Sequence, residues 1–178
     1  AGSANAADAL SAIERIFATD GLAGLKRLVA AEDDSFASET ALRARLVDGM
    51  PKVGNADARA DGNLKFLFDA FADAADAFST PERRIRPGSG SAMYYIWLTD
   101  THRNARSQIE PIVGATADGR LRDAPLASSL APAHEAKVGG VFSVLKSFSV
   151  IDYSRIMNGG PITIEFSHTV FRTDEGVK

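Results

Sequence analysis

Apolar side chains recur every three or four residues through the first eighty positions, and this helical spacing limits the fold more than any other feature of the sequence. The clearest stripe predicts a long helix that ends before Thr80-Pro81, because the residue before a proline disfavours helical geometry. Its apolar face carries Leu64, Leu67, Phe68, Phe71, Ala75 and Phe78. A mainly helical first half is therefore expected.

Three shorter helices are predicted before that stripe. Asn5 or Ser3 is expected to cap the first helix, and Gly21 and Gly24 separate it from the second. The third helix is predicted to end at Gly49 and Pro51. The apolar faces of the three helices carry Leu10, Ile13 and Phe17, then Leu22, Leu25, Leu28 and Val29, then Leu42, Leu46 and Val47.

The second half changes character, because β-branched, aromatic and turn-forming residues replace the helical stripes. Residues 92–97 are apolar on both alternating faces, as in a strand that is buried on both sides. A short polar helix is predicted at 101–109 and a long loop at 114–133. Residues 141–145 are predicted as a second strand or buried apolar segment, and 162–166 as a third strand. Helices followed by interspersed strands indicate an α/β fold.

Charge and cysteine content exclude several classes of function. The net charge is −3, whereas nucleic-acid binding through phosphates needs clustered Lys and Arg. The chain has no cysteine, so disulfides, thiolate metal sites and cysteine nucleophiles are absent from it. No apolar run approaches the ~20 residues of a membrane span, and no signal peptide opens the chain, so a cytoplasmic location is expected.

No catalytic or metal-binding group stands out among the polar residues. His102, His134 and His168 lie in separate segments, and no pair has metal-ligand spacing, so no metal site is predicted. Residues 114–120 have the glycines of a phosphate-binding loop but lack the Lys-Ser/Thr pair that such a loop needs. Asp118-Gly119 within them is interpreted as a turn.

Large side chains with polar ends are concentrated in the strand predicted at 92–97. Alternation places Met93, Tyr95 and Trp97 on one face and Tyr94 on the other. Core packing and the wall of a substrate pocket both fit such a strand, since Tyr and Trp combine a large apolar body with a hydrogen-bonding group. The residues by themselves leave these two interpretations open.

Five short segments follow one another in an order that is typical of one enzyme family. Residues 51–57 read Pro-Lys-Val-Gly-Asn-Ala-Asp, 86–88 read Arg-Pro-Gly, and 114–120 read Gly-Ala-Thr-Ala-Asp-Gly-Arg. Residues 144–147 read Val-Leu-Lys-Ser, and 151–154 read Ile-Asp-Tyr-Ser. The series resembles the glycyl radical enzyme family, which includes pyruvate formate-lyase. One departure is an alanine where the family's Gly-Ala-Thr-Pro-Asp-Gly-Arg has proline.

The resemblance implies a fold for the chain and a place within it. The family's catalytic domain is a ten-stranded α/β barrel of two five-stranded halves, and residues 1–178 would form a single segment of its later part. Residues 1–82 would be a helical layer, and 83–178 would supply barrel strands and loops. The loop with the catalytic cysteine would precede Ala1, and the loop with the radical glycine would follow Lys178. No catalytic residue is therefore expected in this segment.

The resemblance also implies a substrate site, a cofactor and partners. In the family, the strand after the Arg-Pro-Gly segment lines the substrate pocket, which assigns Met93, Tyr94, Tyr95 and Trp97 to substrate binding. The parent enzyme would carry a glycyl radical installed by a radical S-adenosylmethionine activase, with no cofactor bound in this segment. Expected partners are the remainder of the same chain, the activase, a small-molecule substrate and a second copy in a homodimer, with no nucleic acid or membrane.

The large side chains at 93–97 limit the range of substrates that the family resemblance allows. They favour a bulky or aromatic substrate, such as an arylacetate that is decarboxylated. The alternative within the family is a dehydratase, or a C–S or C–N lyase, acting on a small polar substrate. The alternative from another class is a non-catalytic α/β binding or scaffold module.

Overall fold

Helices dominate the part of the chain that the computed structural model describes, which is residues 2–79, 82, 101–103, 109–111, 113–156 and 160–162. The regular elements are α1 (Ser3–Asp33), α2 (Thr40–Asp48), α3 (Ala58–Ala77), β1 (Thr101–Arg103), β2 (Ile109–Pro111), α4 (Val141–Phe148) and a 3₁₀ turn (Tyr153–Arg155). Within these ranges no helix is both long and apolar enough to cross a membrane.

α1 contains both of the first two predicted helices and bends between them. The bend lies at Gly21, whose φ of 61° and ψ of −154° fall outside the helical region. Gly24, the other predicted break, remains helical. A Cβ atom at Gly24 would lie 2.5 Å from the Cβ of Asp20 and 2.9 Å from the Cγ2 of Ile16, so packing at the bend leaves no room for a side chain. The predicted break is confirmed at Gly21 only.

The cap predicted for α1 is wrong. Gly2 occupies the N-cap position with a φ of 76°, and no side chain of the described residues caps the helix. Ser3 and Asn5 both lie inside the helix, and Asn5 is only 4% exposed. Its amide is bonded to Asp118 and to the main chain of Ala127, both in distant loops, so it is not free to cap its own helix.

α2 and α3 follow the predicted stripes. α3 begins after Asp57, whose carboxylate accepts hydrogen bonds from the N–H groups of Arg59 and Ala60, the usual geometry of an N-cap. The apolar stripe of α3 is not uniformly buried. Leu64 is completely buried, whereas Phe78 at the far end is 65% exposed. α3 therefore contributes to the core mainly through its first half.

Two clusters of buried apolar side chains hold these elements together. The first joins the start of α1 to α3, α4 and the loops around them, through Ala4, Ala7, Val53, Ala60, Leu64, Ala127, Leu130, Val144, Phe148, Ile151 and Ile156. The second joins the rest of α1 to α2, through Ala12, Ile16, Leu28, Ala31, Phe36, Leu42, Leu46, Met50 and Ala117. Val53 and Ala117 thus fix the segments 51–57 and 114–120 to the helical framework.

The strand or buried apolar segment predicted at 141–145 is wrong, because these residues begin α4. Val144 and Phe148 are four residues apart and share its buried face, whereas Phe142 is 88% exposed. Helical spacing becomes visible only when the stripe is followed through to Phe148. The shorter window contained too few residues to separate the two periodicities.

The short helix predicted at 101–109 is also wrong. β1 and β2 pair in antiparallel register, with Thr101 opposite Pro111 and Arg103 opposite Ile109. β-branched residues such as Thr and Ile favour strands, and that preference prevails over the polar pattern that suggested a helix.

Some predicted strands lie outside the described residues. These are 92–97 and all of 162–166 except Ile162, which forms a parallel bridge with Leu130. The region 114–133 is irregular apart from that bridge, as predicted. The ten-stranded barrel, and the division of the chain at residue 82, stay predictions.

Candidate functional site

A buried polar network lies where the first turns of α1 meet the loops of the second half. Asn5 connects two of these loops. Its Nδ2 donates to Oδ2 of Asp118 at 2.7 Å, and its Oδ1 accepts from the N–H of Ala127 at 2.8 Å. Because a buried amide must be paired on both sides, this bridge specifies how both loops sit against α1.

Lys52 enters the same network from the segment before α3. The residue is only 6% exposed, and its Nζ donates to the main-chain oxygen of Asp118 at 2.7 Å. The Asp118 carboxylate also accepts from the Thr116 hydroxyl and from the N–H of Arg120. Asp118 therefore receives donors from three parts of the chain.

Arg120 holds the loop 114–124 in shape. Its side chain donates to the main-chain oxygens of Gly114, Leu121 and Ala124 and to the hydroxyl of Thr116. The residue is only 4% exposed. A guanidinium group has five N–H donors in a fixed fork, so it can satisfy several carbonyl groups that a loop leaves unpaired. The role of Arg120 in this structure is to organise the loop.

Asp8 is a buried carboxylate on α1 beside Lys52. Its Oδ1 accepts from the N–H of Val53 at 2.7 Å, whereas its Oδ2 has no hydrogen-bond partner within the described part of the chain. Desolvation raises the pKa of Asp8 to about 7, with the positive charge of Lys52 opposing the rise and the charges of Asp118 and Asp61 adding to it. Asp8 is therefore only partly ionised near neutral pH.

Ser147 fixes α4 to the turn before α3. Its Oγ accepts from the N–H groups of Gly54 at 3.0 Å and Ala56 at 2.9 Å. The pKa of the neighbouring Asp61 is raised, because desolvation by burial outweighs the opposing effect of the Ser147 hydroxyl. The segments 51–57 and 144–147, which both contribute to the family resemblance, are thus in direct contact.

Two cavities lie beside this network. The larger, of about 300 Å³, is mostly apolar and is lined by Pro132, Val138, Val141 and Val144 among others. The smaller, of about 90 Å³, is lined by polar residues, which include Asn5, Lys52 and Arg120, and by alanine, valine and proline side chains. The exposed residue His134 lines both cavities.

The residues predicted to bind substrate, Met93, Tyr94, Tyr95 and Trp97, lie outside the described part of the chain. Of the three histidines, for which no catalytic or metal role was predicted, His134 lies at the cavities, and the backbone of His102 lies in β1. Among the described residues, no group of three or more His, Cys, Asp or Glu side chains could hold a metal ion.

Sequence reasoning missed the polar network as a unit. It interpreted Asn5 as a cap and Asp118 as part of a simple turn, and assigned no role to Asp8 or Lys52. A signal was present, since Lys52 and Arg120 lie among small and turn-forming residues in two segments that resemble family motifs. Contacts between positions 113 residues apart, such as Asn5 with Asp118, carry no local pattern.

Comparison with known proteins identifies the family. The family model described as "PFL-like: Pyruvate formate lyase-like" matches residues 1–97. The chain belongs to the pyruvate formate lyase-like family. The predicted membership of the glycyl radical enzymes is thereby confirmed.

Relatives of known sequence and structure extend this family match. The chain is 29% identical over 160 residues to the probable dehydratase YbiW of Escherichia coli, covering 89% of this chain and 19% of that protein. Its fold matches a glycerol dehydratase from Clostridium butyricum with a TM-score of 0.78, and a hydroxyproline dehydratase from Clostridioides difficile with a TM-score of 0.74. Both matches have 22% sequence identity and cover 99% of this chain and 21% of the other.

A glycyl radical enzyme from Archaeoglobus fulgidus matches as well, with a TM-score of 0.75 at 22% identity and the same coverage of 99% and 21%. At such identities the structural likeness shows the fold, which is that of the corresponding part of a glycyl radical enzyme. The chain spans about a fifth of the length of these relatives.

Proposed function

We propose that this chain is a segment of a glycyl radical enzyme, to which it contributes helical scaffold and part of the substrate pocket. The observation that carries the proposal is the family match over residues 1–97, supported by a fold that follows glycyl radical enzymes over 99% of the chain. The described residues suit a scaffold role, because their charged groups are used to fix loops against helices.

Among the reactions of this family, we propose elimination of water from a small polar substrate. The support is the identity of 29% with a probable dehydratase over 89% of the chain. The matching structures of glycerol and hydroxyproline dehydratases point the same way. The decarboxylation of an arylacetate, favoured by the large side chains at 93–97, has no support from these relatives and becomes the second candidate.

Met93, Tyr94, Tyr95 and Trp97 remain our proposal for the pocket wall. Large amphipathic side chains exclude water while offering a hydroxyl or indole N–H to orient a substrate. Exclusion of water matters because radical intermediates are otherwise lost to side reactions. In the complete enzyme, a glycyl radical and a cysteine from other segments would supply the hydrogen abstraction.

The substitution Trp97→Ala tests this pocket wall. We expect it to raise the KM for the substrate at least tenfold without loss of the glycyl radical.

The remaining parts of the proposal concern partners and location. The enzyme would be activated by a radical S-adenosylmethionine activase, would form a homodimer and would act in the cytoplasm. A non-catalytic scaffold module is the candidate from another class, and it predicts no activation at all.

Product analysis separates these candidates. The complete polypeptide is activated without oxygen and incubated separately with glycerol, 1,2-propanediol, trans-4-hydroxy-L-proline and phenylacetate. We expect one of the hydroxylated compounds to lose water, giving an aldehyde from a diol or glycerol or a pyrroline carboxylate from hydroxyproline, and phenylacetate to be unchanged. Release of an arene and CO₂ from phenylacetate would contradict the dehydratase proposal. Samples without activase are the control, and no product from any compound would favour the scaffold module.

A further inference from the structure

α4 carries apolar side chains on more of its circumference than the described core covers. Its apolar residues are Val141, Phe142, Val144, Leu145 and Phe148. Val144 and Phe148 are buried in the first apolar cluster. Phe142 and Leu145 are exposed, and because a helix has about 3.6 residues per turn, Phe142 lies on the side opposite the buried one. The described residues therefore leave part of the apolar surface of α4 in water.

The larger cavity adjoins this exposed side of α4. Its wall includes Val141 and Val144 of the helix and Val138 of the preceding loop, and Val138 is also exposed. Leu145 lies one turn after Val141, and Phe142 lies one turn before Leu145, so these three share one face of the helix. We call Val138, Val141, Phe142 and Leu145 the α4 face. It joins a hollow of about 300 Å³ to a projecting aromatic ring, and a contiguous apolar surface of this kind is typical of an interface.

A polypeptide segment fits the α4 face better than a small molecule does. A small-molecule pocket encloses most of its ligand, and several polar groups converge to orient that ligand. Here the polar side chains among the described lining residues are those of Ser128 and His134, and His134 is exposed. A small molecule in the cavity would also leave Phe142 and Leu145 in water, because neither lines it. One apolar side chain of a polypeptide can fill the hollow while its neighbours cover the ring.

The matching structures indicate which polypeptide is available to cover the α4 face. The fold of this chain matches the glycerol and hydroxyproline dehydratases over 99% of its own length but over only 21% of theirs. The greater part of each of those chains therefore lies outside the matched fold and is covalently joined to it. A covalently joined segment reaches a surface at a much higher local concentration than a separate molecule does, which favours it over a second copy.

We propose that the α4 face is covered, in the complete protein, by an apolar segment of the same polypeptide from outside residues 1–178. An aliphatic or aromatic side chain of that segment fills the cavity beside Val138 and Val141, and others pack on Phe142 and Leu145. This interface rests on the proposed function in one respect, since it requires the chain to be a segment of a longer polypeptide.

Photo-crosslinking of the complete, unactivated protein identifies what covers the α4 face. Phe142→p-benzoylphenylalanine places a light-activated group on the face, and mass spectrometry of the digested protein locates the residues that it meets. Mixing ¹⁴N- and ¹⁵N-labelled protein separates crosslinks within one chain from crosslinks between copies. We expect crosslinks within one chain to residues outside 1–178, absent from an unirradiated sample. Crosslinks between copies, crosslinks to residues 1–178 alone, or no crosslinks would each overturn the proposal.

Two substitutions at Phe142 test the burial without a crosslinker. At an exposed position, Phe142→Asp and Phe142→Leu would both change the Tm of the complete protein by less than about 2 °C. On a covered face, Phe142→Asp buries an unpaired charge, and we expect it to lower Tm by at least about 5 °C. Phe142→Leu keeps most of the apolar contact and should lower Tm far less. Loss of folding in Phe142→Asp alone would be the same result in a stronger form, whereas small shifts in both variants would overturn the proposal.

Neither measurement requires the glycyl radical, so the interface and the proposed reaction can fail separately. Crosslinks to the remainder of the chain, without any dehydration of the tested compounds, would reject the proposed reaction and keep the interface. Dehydration without those crosslinks would reject the interface and keep the reaction.

Discussion

Asp8 is the residue whose chemistry is most changed by its surroundings. It is completely buried, and one of its carboxylate oxygens has no partner among the residues that the structure describes. The charges of Lys52, Asp118 and Asp61 act on it. The positive charge of Lys52 does not offset the loss of solvation, so burial decides the direction of the pKa. A buried carboxyl of this kind makes stability depend on pH in a way that surface carboxylates do not.

The substitution Asp8→Asn tests this directly. The pKa of Asp8 is raised from 3.8 to about 7 in the folded state. Between these values the folded chain holds a proton that the unfolded chain has released, so the free energy of unfolding falls as pH rises through this window. Asparagine keeps an oxygen for Val53 and does not ionise. We expect it to increase the free energy of unfolding by roughly 2–4 kcal/mol at pH 8 and to change it little at pH 4.

Urea denaturation at both pH values measures the effect, with Asp48→Asn as the control, because Asp48 is exposed and forms a surface ion pair with Lys137. Equal effects of Asp8→Asn at pH 4 and pH 8 would show that Asp8 is ionised throughout.

At the scale of elements, the helices of the first half could be predicted and the polar network could not. The stripes around Leu46 and Leu64 follow from spacing alone, because a helix repeats its buried face within a few residues. α4 was not predicted, because the apolar segment 141–145 contains only the first five of its residues. Asn5 was misassigned because its partners Asp118 and Ala127 lie far away in the sequence, and tertiary bonds override a local capping preference.

Ser147 is expected to control how α4 packs on the turn before α3. Ser147→Ala removes the acceptor of the Gly54 and Ala56 N–H groups and leaves buried donors unpaired. We expect the free energy of unfolding to fall by about 2–4 kcal/mol. Ser143→Ala on the same helix is the matched control, since the exposed hydrogen bond of Ser143 goes to nearby Gly140, and its effect should stay within about 0.5 kcal/mol. Equal losses in the two variants would contradict this role of Ser147.

Two helical glycines should respond to alanine in opposite directions. In α1, a Cβ atom at Gly24 meets Asp20 and Ile16 at 2.5 and 2.9 Å, so Gly24→Ala should destabilise the protein by about 1–3 kcal/mol. In α3, a Cβ atom at the exposed Gly62 meets no atom of the described residues within 4 Å, so Gly62→Ala should stabilise the protein by about 0.5–1 kcal/mol. Thermal denaturation of both variants measures this, and a gain at both sites would contradict the close packing at the bend.

At the scale of the whole molecule, distant segments are joined by a few buried polar bonds between two apolar clusters. Asn5 reaches across 113 residues to Asp118, and Ser147 reaches across 93 residues to Gly54. The order of the short motifs along the sequence indicates the family without knowledge of these contacts. The family match over residues 1–97 and the fold shared with glycyl radical enzymes confirm it.

Electron paramagnetic resonance of the complete, anaerobically activated protein tests the central claim most directly. A glycyl radical has one hydrogen on Cα, so the proposal predicts an organic radical whose signal is split into a doublet. Protein made with Cα-deuterated glycine should lose that splitting. Absence of an organic radical after activation, or a doublet that deuterated glycine leaves unchanged, would contradict the assignment of this chain to a functioning glycyl radical enzyme.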